Sequence, residues 1–171
     1  MKKSLLSLTA VLVLFSCNSE KKYEKSSGEL LASMVYAQTY AEAITGRYSK
    51  VWRDAISKEV YYKIDGKEVK SYIDFNDALV LVKSEMEHSG LEGSLDSSFA
   101  VVDSIMRTLN EPPKKYEKLS KDISECYGDL SEFIRLAKAP EGSLMSYNQR
   151  SSELNSSFNR KLSQIAVQLP K

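Results

Sequence analysis

Glu85-Met86-Glu87-His88 is the one place in the chain where a carboxylate and an imidazole stand three residues apart. On a helix that spacing turns both side chains to one face, the arrangement used in di-iron bundles. Such a centre takes two copies of the pair and two further glutamates, and His88 is the only histidine among 171 residues. The di-iron reading fails on that count. A zinc site of histidines and cysteines fails for the same want of ligands. A carboxylate-rich cation site is the remaining metal reading. The simpler expectation is a surface histidine near a helix end and no cofactor.

Nucleophilic chemistry is equally short of parts. The chain has two cysteines, Cys17 and Cys126. A Cys126–His88 dyad needs a thiolate in an accessible, electropositive pocket. Cys126 stands instead between Ile123 and Leu130 at seam spacing, which predicts core packing. Serine is abundant, but no Gly-x-Ser-x-Gly elbow occurs. No Gly-x-Gly-x-x-Gly or Walker pattern occurs either, so nucleotide chemistry has no support. No catalytic residue is assigned, and the expectation is a protein that is not an enzyme.

Binding is the better prospect. Tyr36 and Tyr40 lie one helical turn apart and slightly off the apolar seam, with Arg47 two turns beyond Tyr40. They form a candidate partner-facing aromatic patch, against the competing reading of a broad core face. Near the other end, Asn148, Ser152, Asn155, Ser156 and Asn159 give a helix face that is polar with little charge. Such a face hydrogen-bonds a protein or a glycan, or is simply solvated.

These residues must be held by helices. Charged residues are 27% of the chain and apolar residues 42%, ordinary globular usage for one domain with a real core. The formal net charge is +1. No basic face is implied, so nucleic acid is excluded as a partner class. From Ser27 or Gly28, the apolar positions Leu30, Met34, Ala37, Ala41, Ile44, Tyr48, Val51 and Ala55 alternate steps of four and three, the seam of a helix packed on helices. Leu31, Val35, Trp52 and Ile56 widen the stripe, and the helix is expected to reach about Tyr62. Asp65-Gly66 between β-prone residues predicts a loop or a small hairpin. A helix carrying Leu79, Val80, Val82 and Met86 follows, kinked or broken by Gly90 and Gly93 before Phe99, Val102, Ile105, Met106 and Leu109. Pro112-Pro113 marks a boundary. Tyr116, Leu119, Ile123, Cys126, Leu130, Phe133 and Ala137 make the next seam. Ser143 is expected to cap a last helix whose seam is Leu144, Tyr147, Ser151, Leu154 and Phe158, antiparallel to its predecessor across a short linker. The fold expectation is all-α: an elongated antiparallel bundle of three to four helices with coiled-coil-like seams.

The N-terminus carries the clearest functional pattern. Lys2-Lys3 precede an apolar run over residues 5–15 and then Ser16-Cys17, the layout of a secretory signal. At about 11 residues the run is too short to span a bilayer. Leu14-Phe15-Ser16-Cys17 resembles the lipobox of bacterial lipoproteins, in the relaxed form of Bacteroidota lipoproteins. The resemblance implies removal of a signal peptide, residues 1–16, and acylation of Cys17. It also implies a cell-envelope location, held to the membrane by lipid and expected at the outer membrane. Loss of Lys2 and Lys3 leaves the side chains near −1. With Cys17 acylated, Cys126 stands alone and no internal disulfide forms. Residues 17–27 then read as lipidated cysteine and flexible tether, and residues 28–171 as the helical domain. Asp103-Ser104-Ile105 resembles an O-glycosylation motif of the same phylum, expected to be unused inside a helix. The stretch from Pro112 onward is similar to small helical-bundle lipoproteins of unknown function. The expected role is a non-enzymatic interaction or scaffold module for an envelope protein or glycan. The alternative is a lipoprotein that binds a small ligand or cation.

Overall fold

A computed structural model describes the backbone of residues 4–57, 60–64, 67–71 and 75–170. Among these residues lie five α-helices and one hairpin: α1 (Ser4–Ile56), β1 (Val60–Ile64), β2 (Lys67–Ser71), α2 (Phe75–His88), α3 (Leu91–Thr108), α4 (Glu117–Lys138) and α5 (Leu144–Ala166). A 3-10 turn, Lys114–Tyr116, leads into α4. The domain is therefore largely helical, with α1 packed against every other helix.

α1 packs against both α2 and α3, and Arg47 of α1 reaches Glu85 of α2 at 2.6 Å. α4 and α5 are antiparallel: Glu132 pairs with Arg150, Asp129 with Lys161 and Asp122 with Gln168. Five helices stand where three to four were expected because the break after α2 is complete. Gly90 takes φ 72° and ψ 11°, a left-handed conformation that ends a helix and that glycine adopts without a Cβ clash. Gly93 lies inside α3 and breaks nothing.

The seams are filled as their spacing predicts. Leu30, Met34, Ala37, Ala41, Ile44, Tyr48 and Val51 are all buried, as are Leu119, Ile123, Cys126, Leu130, Phe133 and Ala137 on α4. Leu31 and Trp52 join the core, whereas Val35 and Ile56 are exposed, and on α2 Val80 is exposed while Val82 and Met86 are buried. Ser143 caps α5, accepting from the Ser146 backbone N–H while the Ser146 hydroxyl accepts from Ser143 N–H. β1 and β2 pair antiparallel from Val60↔Ser71 to Ile64↔Lys67. The hairpin is real; the Asp65-Gly66 turn itself lies outside the described residues. α1 ends at Ile56 instead of near Tyr62 because β1 takes over the β-prone Tyr61 and Tyr62.

The flexible tether expected before residue 28 is corrected. Residues 18–27 belong to α1, with Tyr23 and Ser27 buried. Those two positions continue the four-three seam backwards from Leu30, and the lysines and glutamates around them are good helix formers. Tyr23 stacks on Tyr116. The Tyr116 hydroxyl donates to Glu24, and Lys115 pairs with Glu20 and Glu24. Among the described residues, no helix is long and apolar enough to cross a membrane.

Candidate interaction groove

α1 and α3 leave an open groove of about 640 Å³ between them. Ser33, Tyr36 and Tyr40 line it from α1. The opposite wall is Gly90 and then α3 residues without bulk, Gly93, Ser94, Ser97 and Ser98, closed off by Val101. The groove exists because α3 points its larger side chains, Leu95 and Val102, into the core and keeps small residues on the neighbouring strip. Tyr36 is 67% exposed on the rim, while Tyr40 is half-buried against the core.

Among the described residues, no charged side chain lines the groove. The Ser94 and Ser98 hydroxyls donate to backbone carbonyls of Gly90 and Leu95, and Ser33 donates to Glu29. Their oxygens remain acceptors. The groove therefore offers aromatic faces, a little aliphatic surface and hydrogen-bond acceptors. That chemistry suits contact with an uncharged surface.

The structure separates the two halves of the candidate partner face. Tyr36 and Tyr40 lie on the groove, whereas the polar face of α5 meets the far side of α1. Asn148 accepts from the Ser49 hydroxyl at 2.5 Å. Asn155 accepts from Gln38 at 2.7 Å and donates to Glu42. Asn159 donates back to Asn155, and Ser152 is exposed. Gln38 is two residues from Tyr36, about 200° around the helix, so one partner surface cannot span both sets. Asn148 and Asn155 thus already join the two helices, and the groove is the freer surface. Sequence reasoning missed its α3 wall, although Gly90, Ser94, Ser97 and Val101 recur at three-four spacing.

The other candidates fall in ordinary surroundings. His88 is exposed at the end of α2, its Nδ1 2.7 Å from the Ser84 carbonyl oxygen. Among the described residues, no group of three or more His, Cys, Asp or Glu side chains is placed to hold a metal ion. Cys126 is buried, its Sγ directed at the Phe158 carbonyl 3.9 Å away. Burial, with Asp129 adding, pushes its thiol up to about 12, the reverse of an activated nucleophile. Arg47 is held by Glu85. Asp103 accepts from the Tyr127 hydroxyl at 2.7 Å, and Ser104 lies exposed within α3. The backbone of Cys17 is in α1, and its side chain lies outside the described residues. No family model matches the chain, and neither a curated protein nor a solved structure matches it.

Proposed function

We propose that this chain is a lipid-anchored lipoprotein of the bacterial cell envelope, seated at the outer membrane through Cys17, that acts as a non-enzymatic interaction module. Its contact surface is the groove between α1 and α3. One observation carries the reading: the Tyr36 ring stands 67% exposed beside an uncharged groove walled by glycine and serine. Exposed aromatic side chains over small residues are the usual anchors of a protein interface. The small wall lets a partner helix bring its backbone close, and Tyr36 and Tyr40 then close over it. The groove wall from Gly90 to Val101 is roughly 16 Å long at 1.5 Å per residue, three turns of such a helix.

A photo-crosslinking amino acid at Ser97, compared with one at exposed Ser156 on α5, tests this in intact envelopes. A specific protein adduct from position 97 and none from 156 is the expected result. Equal or absent adducts at both positions overturn the groove. Thermal stabilisation by an added glycan or small molecule, without any adduct, would move the assignment to the ligand-binding class.

A further inference from the structure

We propose that the end of the bundle where α1 meets the 3-10 turn docks onto anionic phospholipid headgroups, so that the anchor presses the domain against the bilayer. The inference rests on the reading of Cys17 as the anchored residue, and it adds a second, electrostatic contact to it.

The geometry comes first. Tyr23 is only six residues along the chain from Cys17, and the whole interval is in α1. At 1.5 Å per residue that is about 9 Å of stiff helix. Tyr23 is already buried against Tyr116. An acyl chain at Cys17 therefore has no slack with which to lift the bundle from the surface.

Charge comes next. The Tyr23–Tyr116 stack brings two lysine-bearing stretches together that the sequence keeps far apart. Residues 18–25 carry Lys21, Lys22 and Lys25; residues 110–118 carry Lys114, Lys115 and Lys118. The same stretches hold four glutamates: Glu20, Glu24, Glu111 and Glu117. Glu20 and Glu24 are engaged by Lys115, and Glu24 also accepts from the Tyr116 hydroxyl. Lys25 pairs with Glu29. Lys21, Lys22, Lys114 and Lys118 are exposed and show no ion pair among the described residues. Against them stand the exposed carboxylates Glu111 and Glu117, so the two stretches together, six lysines and four glutamates, carry a net charge of +2 beside the anchored residue. Lysines next to an anionic bilayer each favour the bound state by about fivefold. Each stretch alone carries a net +1; the Tyr23–Tyr116 stack brings the two excesses together.

The test is lysine footprinting with an amine-acylating reagent. Full-length protein purified from membranes is reconstituted on vesicles of phosphatidylcholine alone or mixed with phosphatidylglycerol. The mass of the N-terminal peptide is read from the same sample. The expected result is that Lys21, Lys22, Lys114 and Lys118 label several-fold more slowly on the anionic vesicles only, while Lys83 on α2 labels equally on both. The double variant K114E/K118E removes two exposed groups without ion partners, so the fold stays intact. In it, the protection of Lys21 and Lys22 should disappear. Equal labelling on both vesicle types, with an acylated Cys17, overturns the docking and leaves the anchor standing. An unacylated chain that still binds anionic vesicles and protects the four lysines upholds the docking and removes the anchor. An unacylated chain with no protection removes both.

Discussion

The phenol ring of Tyr23 lies on that of Tyr116, centroids 5.3 Å apart and planes 15° from parallel. The Lys115 ammonium sits 4.9 Å from the centre of the Tyr116 ring. This contact makes the start of α1 part of the bundle. Tyr23→Ala should cost about 3 kcal/mol, the usual loss for a buried aromatic. Amide exchange over residues 18–27 should become fast while α4 keeps its protection. Tyr116→Phe keeps the stack, loses the bond to Glu24 and should cost only about 1 kcal/mol. Unchanged exchange in the Tyr23 variant would show that the helix start is held by something else.

Alkali should weaken the fold in two stages. Burial raises the Cys126 thiol from 9.0 to about 12. Burial also raises the phenols of Tyr147, Tyr48, Tyr116 and Tyr127 above 10.0, and for Tyr127 the bond to Asp103 adds to it. Each group stays protonated longer in the folded chain than in the unfolded one. Between the two values the folded state binds more protons, so stability falls as pH rises. This stability is complete below about pH 9, falls first through the thiol, and falls further above about pH 10 through the tyrosines. Urea midpoints across that range check it. Cys126→Ala should remove the earlier stage alone, and a flat profile would contradict the burial of these groups.

Cys126 itself should be silent toward thiol reagents in the native state and react fully in denaturant. Its Sγ faces the Phe158 carbonyl at 3.9 Å from within the core. Cys126→Ser puts a hydroxyl into the same apolar site and should cost about 1–2 kcal/mol. Rapid native labelling would place the thiol at a surface.

Two glycines should respond with opposite signs. Gly90 sits at φ 72°, so Gly90→Ala should cost about 1 kcal/mol. Gly46 lies inside α1, and an added Cβ there meets nothing within 4 Å. Gly46→Ala should therefore stabilise by about 0.5–1 kcal/mol. Thermal midpoints moving in the same direction for both variants would contradict the break after α2.

Cys17→Ser should leave the bundle folded and abolish acylation. The variant should appear as released protein or as an uncut precursor held by residues 5–15. In the wild type, the N-terminal peptide of the membrane form should begin with acylated Cys17. Any other first residue would remove the anchor reading.

Much of this bundle was legible because its seams are local. Met34, Ala41 and Tyr48 announce their burial by spacing, and so do Ile123, Cys126 and Leu130. The Ser143 cap and the hairpin around Asp65-Gly66 were legible for the same reason, since turn and cap chemistry is carried by a few adjacent residues. The start of α1 was not. Residues 18–27 are polar enough to pass for a tether, and what orders them is Tyr116, far away in the chain. The polar face of α5 was visible, but which helix it would meet was not. Its asparagines were therefore read as a surface when Asn148 and Asn155 are partners of α1. Tyr36 and Tyr40 could be set off the seam by periodicity, yet the groove between them and Ser97 depends on α3 lying alongside, which no local pattern states.

The amides between α1 and α5 also act as a registration key. An apolar seam with a heptad repeat tolerates a slip of seven residues, because one large side chain replaces another. Here Gln38, 7% exposed, faces Asn155, while Ser49 faces Asn148. A slip in one direction would lay Asn155 against Leu31 and Val35. A slip in the other would leave the Gln38 amide opposite Leu162. Either error strands a polar group, so a seam that is otherwise permissive admits one alignment of its two helices.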